Sequence, residues 1–240
     1  MKPKTYLVCE AHELVDSTHY LTNREIKLIQ LCLANIYQVD AIAPDVFYEV
    51  DKQEYAKLYD MSDRAAYEAL VEVSKTLQSR IILLKSTLLY PESPARSKTS
   101  IGWVSACRYN PETSKVELKW SKEIIRLIAK LGAETPYSKY YLHDVCELDT
   151  IHAIRLYRIV NKWAFARTKT FELEEFRRLM GLTAIEFTQF KHLNNQVIKP
   201  SMDAINSHTN LKVKVEFIRI GNGVRKLKFN VSVKEVLDQY

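Results

Sequence analysis

The sequence predicts an α+β, predominantly helical chain of two tandem winged helix-turn-helix domains, and three observations carry that expectation. The order long helix, short strand, short helix, second helix, β hairpin is written twice in 240 residues, once before residue 110 and again after 149. The two short helices rhyme: Tyr55-x-x-Leu58-x-x-Met61 against Phe176-x-x-Leu179-x-x-Leu182, each just after a Phe-containing extended run. The chain closes on two alternating strands around Gly221-Asn222-Gly223, a strong hairpin signal. Domains are expected at 1–136 and 137–240. A generic α+β protein whose spacings agree by accident is the competing reading.

In the first copy, Thr22-Asn23 offers an N-cap for a helix to about Val39, with Ile26, Ile29, Leu33 and Ile36 at helical spacing. Phe47-Tyr48-Glu49-Val50 reads as a short strand, followed by a brief helix from Asp51. Ser62 can cap the next helix, whose inner stripe is Ala66, Leu70, Val73 and Leu77. Ile81-Ile82-Leu83-Leu84 reads as a strand, 91–100 as a loop with two prolines, and 103–108 and 116–120 as further strands. Ser121 then caps a helix expected to run to Leu131 and stop at Gly132.

In the second copy, Thr150 caps a long helix expected to reach about Arg167, and Phe171-Glu172-Leu173 is a short extended run. A helix with Phe176 and Leu179 ends at Gly181. The next helix gathers Phe187, Phe190, Val197 and Ile198 on one side, and Pro200 is expected to kink it because proline removes an amide donor and crowds the preceding turn. Strands over 211–220 and 224–233 follow.

Composition narrows the function classes. Lys and Arg total 35 against 29 Asp and Glu, a formal charge of +6. The excess is concentrated in the second copy: 187–234 holds nine basic residues and only Asp203 and Glu216 as acids. Such asymmetry marks a face turned to a polyanion, although a solvated lysine surface gives the same count. No window approaches the ~18 apolar residues of a membrane span, and the first residues lack the apolar run of a signal peptide, so a cytoplasmic protein is expected. The four cysteines lie far apart, and no His-x-His, His-x-x-x-His or phosphate-loop glycine pattern occurs. Disulfides, a zinc site, ATP hydrolysis and nuclease chemistry are therefore not expected, nor is any cofactor.

In a winged helix-turn-helix the third helix enters the DNA major groove and the hairpin lies along the backbone. In the second copy Thr188, Lys191, Asn195 and Lys199 are expected on one helical side, flanked by His192, with Asn194 nearer the apolar edge. These side chains suit groove reading: an amide for adenine, and lysine for guanine or phosphate. On the hairpin, Lys212 and Lys214 alternate with apolar residues, as do Lys226 and Lys228, and Arg225 stands beside them. Period-two geometry places these lysines opposite the core face, as a footprint for phosphates. The first copy offers Arg64, Lys75, Arg96 and Lys98 for weaker phosphate contact, among Asp63, Glu68 and Glu72. Leu83, Leu88 and Leu89 lie in apolar segments that either pair with a second copy through an edge strand or are buried in their own domain.

Five stretches together carry a family resemblance: Leu21-Thr22-Asn23-Arg24-Glu25; Ala66-Tyr67-Glu68-Ala69-Leu70 leading to Leu77-x-x-Arg80-Ile81; Trp103 to Tyr109 before Ser121-Lys122-Glu123; Ala153-Ile154-Arg155-Leu156-Tyr157; and Val197-Ile198-Lys199-Pro200-Ser201-Met202-Asp203-Ala204-Ile205-Asn206-Ser207-His208-Thr209. In that order they resemble iteron-binding, theta-type plasmid replication initiators, over nearly the whole chain. The resemblance implies tandem winged helices that bind repeated origin sites (iterons) as monomers to start replication. It implies dimerisation through the N-terminal domain to repress the protein's own gene or restrain copy number. Principal base contacts would come from the C-terminal domain, and host replication initiation and helicase-loading proteins would be partners. One departure stands out: relatives often carry an arginine-rich run before the Val-Ile-x-Pro segment, whereas this chain reads Leu193-Asn194-Asn195-Gln196. A winged-helix transcriptional regulator without an initiator role is the alternative.

Overall fold

The computed structural model describes residues 6–36, 42–129 and 136–234. The chain divides into two compact units, Met1–Cys146 and Glu147–Tyr240. The division falls later than the expected 136/137 boundary because strand Tyr137–Tyr141 pairs antiparallel with Leu7–Ala11 and so belongs to the first unit.

The first unit runs β1 (Leu7–Ala11), α1 (His12–Val15), β2 (Thr18–His19), α2 (Asn23–Ile36), β3 (Tyr48–Asp51), α3 (Lys52–Leu58) and α4 (Asp63–Thr76). It continues with β4 (Ile81–Lys85), β5 (Lys98–Gly102), β6 (Val104–Asn110), β7 (Lys115–Trp120), α5 (Lys122–Ala129) and β8 (Tyr137–Tyr141). Helix α2 is the buried axis, with Leu28, Leu31 and Ala34 fully enclosed. A capping box opens it. Thr22 Oγ1 accepts from Glu25 N at 3.2 Å, and Glu25 Oε2 accepts from Thr22 N at 2.7 Å. Glu25 is itself buried, and its other partners are Arg80 Nε at 2.9 Å and Thr76 Oγ1 at 2.6 Å. Asp51 caps α3 by accepting from Gln53 N and Glu54 N, and Ser62 caps α4 by accepting from Ala65 N.

Among the described residues, three antiparallel sheets surround these helices: β1-β8, β2-β4-β5 and β3-β7-β6. The loop expected over 91–100 ends early, because Lys98–Gly102 forms a strand against Ile81–Lys85. Strand β4, read either as an edge for a second copy or as buried in its own domain, is the middle strand of its sheet, with β2 on one side and β5 on the other. The helix expected to reach Val39 is described to Ile36, and the one expected to reach Leu131 to Ala129; their expected ends, and the Gly132 stop, lie outside the described residues.

The second unit runs α6 (Ile151–Lys162), β9 (Thr168–Glu172), α7 (Leu173–Leu179), α8 (Phe190–Leu193), a π-helical turn (Asn194–Ile198), α9 (Lys199–His208), β10 (Leu211–Ile220) and β11 (Gly223–Val233). Thr150 caps α6 by accepting from Ala153 N at 3.1 Å. That helix stops short of the expected Arg167. Trp163 closes it, a 3₁₀ turn follows, and Arg167 takes φ of 59°. The core packs α6 and α9 against the sheet, with Phe171, Phe176 and Phe229 forming an aromatic cluster at ring separations of 5.5 to 6.5 Å.

Sheet order exposes the duplication. In the first unit β3 pairs with the hairpin's second strand, β7; in the second unit β9 pairs with β11, also the second strand of its hairpin. The outer edge of β10 is blocked at Val213 by a side chain. Asn206 Oδ1 accepts from Val213 N at 2.7 Å while its Nδ2 donates to Val213 O at 3.0 Å, the bonds a neighbouring strand would make. Lys234 Nζ satisfies the carbonyls of Asn206 and Thr209 at the end of α9, both at 2.6 Å.

Candidate nucleic-acid interface

The third helix of the second unit is continuous from Phe190 to His208 but not regular. At its middle Lys199 N donates to Asn194 O, an i to i+5 bond, immediately before Pro200. The expected kink is thus a wide π turn, which accommodates a residue that has no N–H to give. It also sets the face of the helix. An ideal α-helix rotates by about 40° over each four residues, so a four-residue pattern drifts round it. Here Leu193, Val197, Ser201 and Ile205 are all buried, while Lys191, Asn195, Lys199 and Asp203 are all exposed, because the wide turn absorbs part of the drift. His192 and Gln196 are exposed beside that stripe, and Asn194 is half-buried with its Nδ2 on Asn195 Oδ1 at 3.3 Å.

Thr188 is not on this helix. Phe187 adopts φ of 47°, a left-handed backbone for a bulky residue, so the chain turns sharply and the helix begins only at Phe190. Thr188 is exposed in the connecting segment, and Phe187 is not part of the helical stripe.

The hairpin alternates as far as Val215: Leu211 and Val213 are buried, Lys212 and Lys214 exposed. Beyond it both faces meet solvent, with Phe217, Ile218, Arg219 and Ile220 all exposed, so the tip extends past the core. A register shift between Ile218 and Arg219 adds local twist there. The hairpin is tied to the third helix by Phe217, whose ring meets Phe190 edge-on at 5.0 Å. On the solvent face Lys226 pairs with Glu172 at 2.7 Å and Lys228 with Glu216 at 3.2 Å. Hydrogen bonds from Asn230 and then Lys228 hold the Glu216 carboxyl below its ordinary range. Lys191, Lys199, Lys212, Lys214, Arg219 and Arg225 form no ion pair among the described residues.

The first unit is balanced differently. Around α4, Lys52 pairs with Asp63, Arg64 with Glu68 and Arg24 with Glu72. On its hairpin side Arg108 pairs with Glu117 and Lys115 with Glu49. Lys75 is exposed near the end of α4. Arg96 and Lys98 are exposed too, but they belong to the β4–β5 side and not to the β6–β7 hairpin. Leu83 is half-buried and Leu88 exposed, whereas Leu89 is 5% exposed and belongs to its own domain's core.

A family model described as Initiator Replication protein, WH1, matches residues 7–161, and a second, Initiator Rep protein, WH2, matches residues 172–231. The chain belongs to this family of replication initiators. A replication initiation protein of Escherichia coli is 24% identical over 239 residues, covering 97% of this chain and 71% of that protein. Among solved structures, the Pi initiator protein in complex with iteron DNA superposes with a TM-score of 0.81 at 17% identity, covering 97% of this chain and 99% of that one. The tandem winged-helix fold is therefore shared with known initiators.

Within this initiator, sequence reasoning left several groups unassigned. Arg219 is exposed near the hairpin tip, where its strand position beside Gly221-Asn222-Gly223 is the one sequence signal for it. Gln196 lay in the stretch that departs from relatives. Arg155 and Arg177 are 5% and 8% exposed, and their guanidinium groups bond carbonyls inside the helix-turn-helix. No periodicity flags such arginines, since they interrupt apolar faces without changing the pattern.

Proposed function

We propose that this chain initiates plasmid replication by sequence-specific binding of double-stranded DNA at origin direct repeats, reading bases chiefly with the second winged helix. The observation that carries this reading is the contrast in charge pairing. Among the described residues, the helix and hairpin of the second unit present six cations without a carboxylate partner, while the cations around α4 and the β6–β7 hairpin of the first unit are largely paired with carboxylates. Lys191, Asn195 and Lys199 form the groove-facing stripe, while Lys212, Lys214, Arg219 and Arg225 engage phosphates. The first unit supplies auxiliary contacts through Lys75, with Arg64, Arg96 and Lys98 in lesser roles. Such a protein works in the bacterial cytoplasm on its plasmid and engages host replication initiation and helicase-loading proteins.

A footprint on the plasmid that encodes the protein tests this, followed by titration of the protected repeats. Expected dissociation constants are about 10⁻⁸ to 10⁻¹¹ M. Binding should fall by roughly 10³-fold between 50 and 200 mM salt, as six or so phosphate contacts require. Equal affinity for a scrambled duplex would sink the reading.

Dimerisation through the first unit, with repression of the protein's own gene, is part of the same proposal. Its surface is the β2-β4-β5 sheet side carrying Leu83 and Leu88; Leu89 is withdrawn from it by burial. Charged substitutions at Leu83 and Leu88 are expected to give soluble monomer in sedimentation. Aggregated protein instead would show that these leucines serve only the domain's own packing.

A further inference from the structure

Arg177 lies in α7, outside the exposed stripe, with only 8% of its surface exposed. Its guanidinium donates to three carbonyls of the segment between α7 and α8: Thr183 at 3.1 Å, Glu186 at 2.5 Å and Phe187 at 2.9 Å. That segment contains the left-handed Phe187, a conformation that persists in a bulky residue only where its surroundings over-determine it. A planar fork of N–H donors holds three carbonyls in one fixed geometry, which a lysine ammonium, a point charge on a flexible stem, does not reproduce. The nearest carboxylate, Glu174, stands 4.0 Å away and is largely exposed, so the guanidinium is committed to the carbonyls.

Resting on the DNA-binding reading above, we infer that Arg177 is a positioning residue for that binding. By fixing the turn it sets where the third helix starts, and hence where Lys191 and Asn195 stand relative to the bases, without itself touching DNA. Such a residue has a signature that separates it from a contact. Losing a phosphate contact lowers the slope of log affinity against log salt by about one. Losing position lowers affinity for the specific site and leaves that slope in place.

The test uses the full chain, a direct-repeat duplex from the encoding plasmid's origin, and a scrambled duplex of equal length. Arg177→Lys is expected to bind the repeats about tenfold more weakly or worse, with the salt slope and scrambled-duplex affinity unchanged. Lys191→Ala, in parallel, should reduce the slope or the base preference. A slope reduced by about one in Arg177→Lys would make Arg177 a phosphate contact and overturn the inference; so would unchanged repeat affinity. A second variant covers loss of folding. The exposed Thr183 and Glu186 close the same turn through Thr183 N and Oγ1, both donating to Glu186 Oε2 at 2.7 Å. Thr183→Ala with Glu186→Gln is expected to keep repeat affinity within about twofold, because Arg177 still holds the backbone. A tenfold loss there would assign the positioning to that pair instead. If the unmodified protein does not prefer the repeats at all, the DNA-binding reading fails before the role of Arg177 is in question.

Discussion

Replacing Lys191 and Asn195 together by Ala is expected to weaken binding to the direct repeats by about 100-fold, since each well-placed base contact discriminates by about 1–3 kcal/mol. The two side chains stand one step apart on the exposed stripe, and neither is held by a carboxylate in the described structure. The same change at Lys2 and Lys4, which lie outside the described residues, should leave repeat binding nearly untouched. Parallel gel-shift titrations decide it. Equal losses in the two pairs, or none in either, would remove the third helix from its assigned role. Asp203 occupies the same stripe, and its carboxylate repels phosphate. The groove contact should therefore be centred on the first half of the helix, before the π turn ends.

The second large effect concerns stability. Glu25→Gln is expected to destabilise the first unit by about 3 kcal/mol. That is the low end for breaking a buried ion pair, because the Arg80 side chain is 33% exposed and can reach water once its partner is gone. The melting temperature of that unit should drop by about 10 °C. Burial alone would raise the Glu25 carboxyl. Hydrogen bonds from Thr76, from the Thr22 amide and from Arg80, together with the Arg80 charge, outweigh it and hold the group below its ordinary range. A carboxyl depressed in the folded state adds stability above its unfolded value, about pH 4.3, and that contribution is lost as pH falls through the lowered value. The gap between the two proteins should thus be full at neutral pH and shrink in acid. A gap independent of pH would show that the capping geometry matters and the ion pair does not.

Much of this was legible in the sequence, where local chemistry and tertiary packing agree. Thr22, Asp51, Ser62 and Thr150 cap the helices they precede, and the Gly-Asn-Gly turn closes the last hairpin. Readings failed where long-range geometry overrides local signals. Lys98 joins a strand because Ile81–Lys85 lies beside it, which a Pro- and Ser-rich run does not announce. Phe187 and Thr188 leave the helical pattern because carbonyl bonds to Arg177, from another helix, hold the backbone in a turn. Pro200 is legible as an irregularity, but a wide turn and a kink accommodate the missing N–H equally, so the sequence does not choose between them. Lys226 and Lys228 alternate as surface lysines do; that Glu172 and Glu216 neutralise them depends on strand register.

The side-chain amide of Asn206 blocks strand addition at one position. With the amide and carbonyl of Val213 already served from within the same subunit, a second chain cannot extend the sheet there.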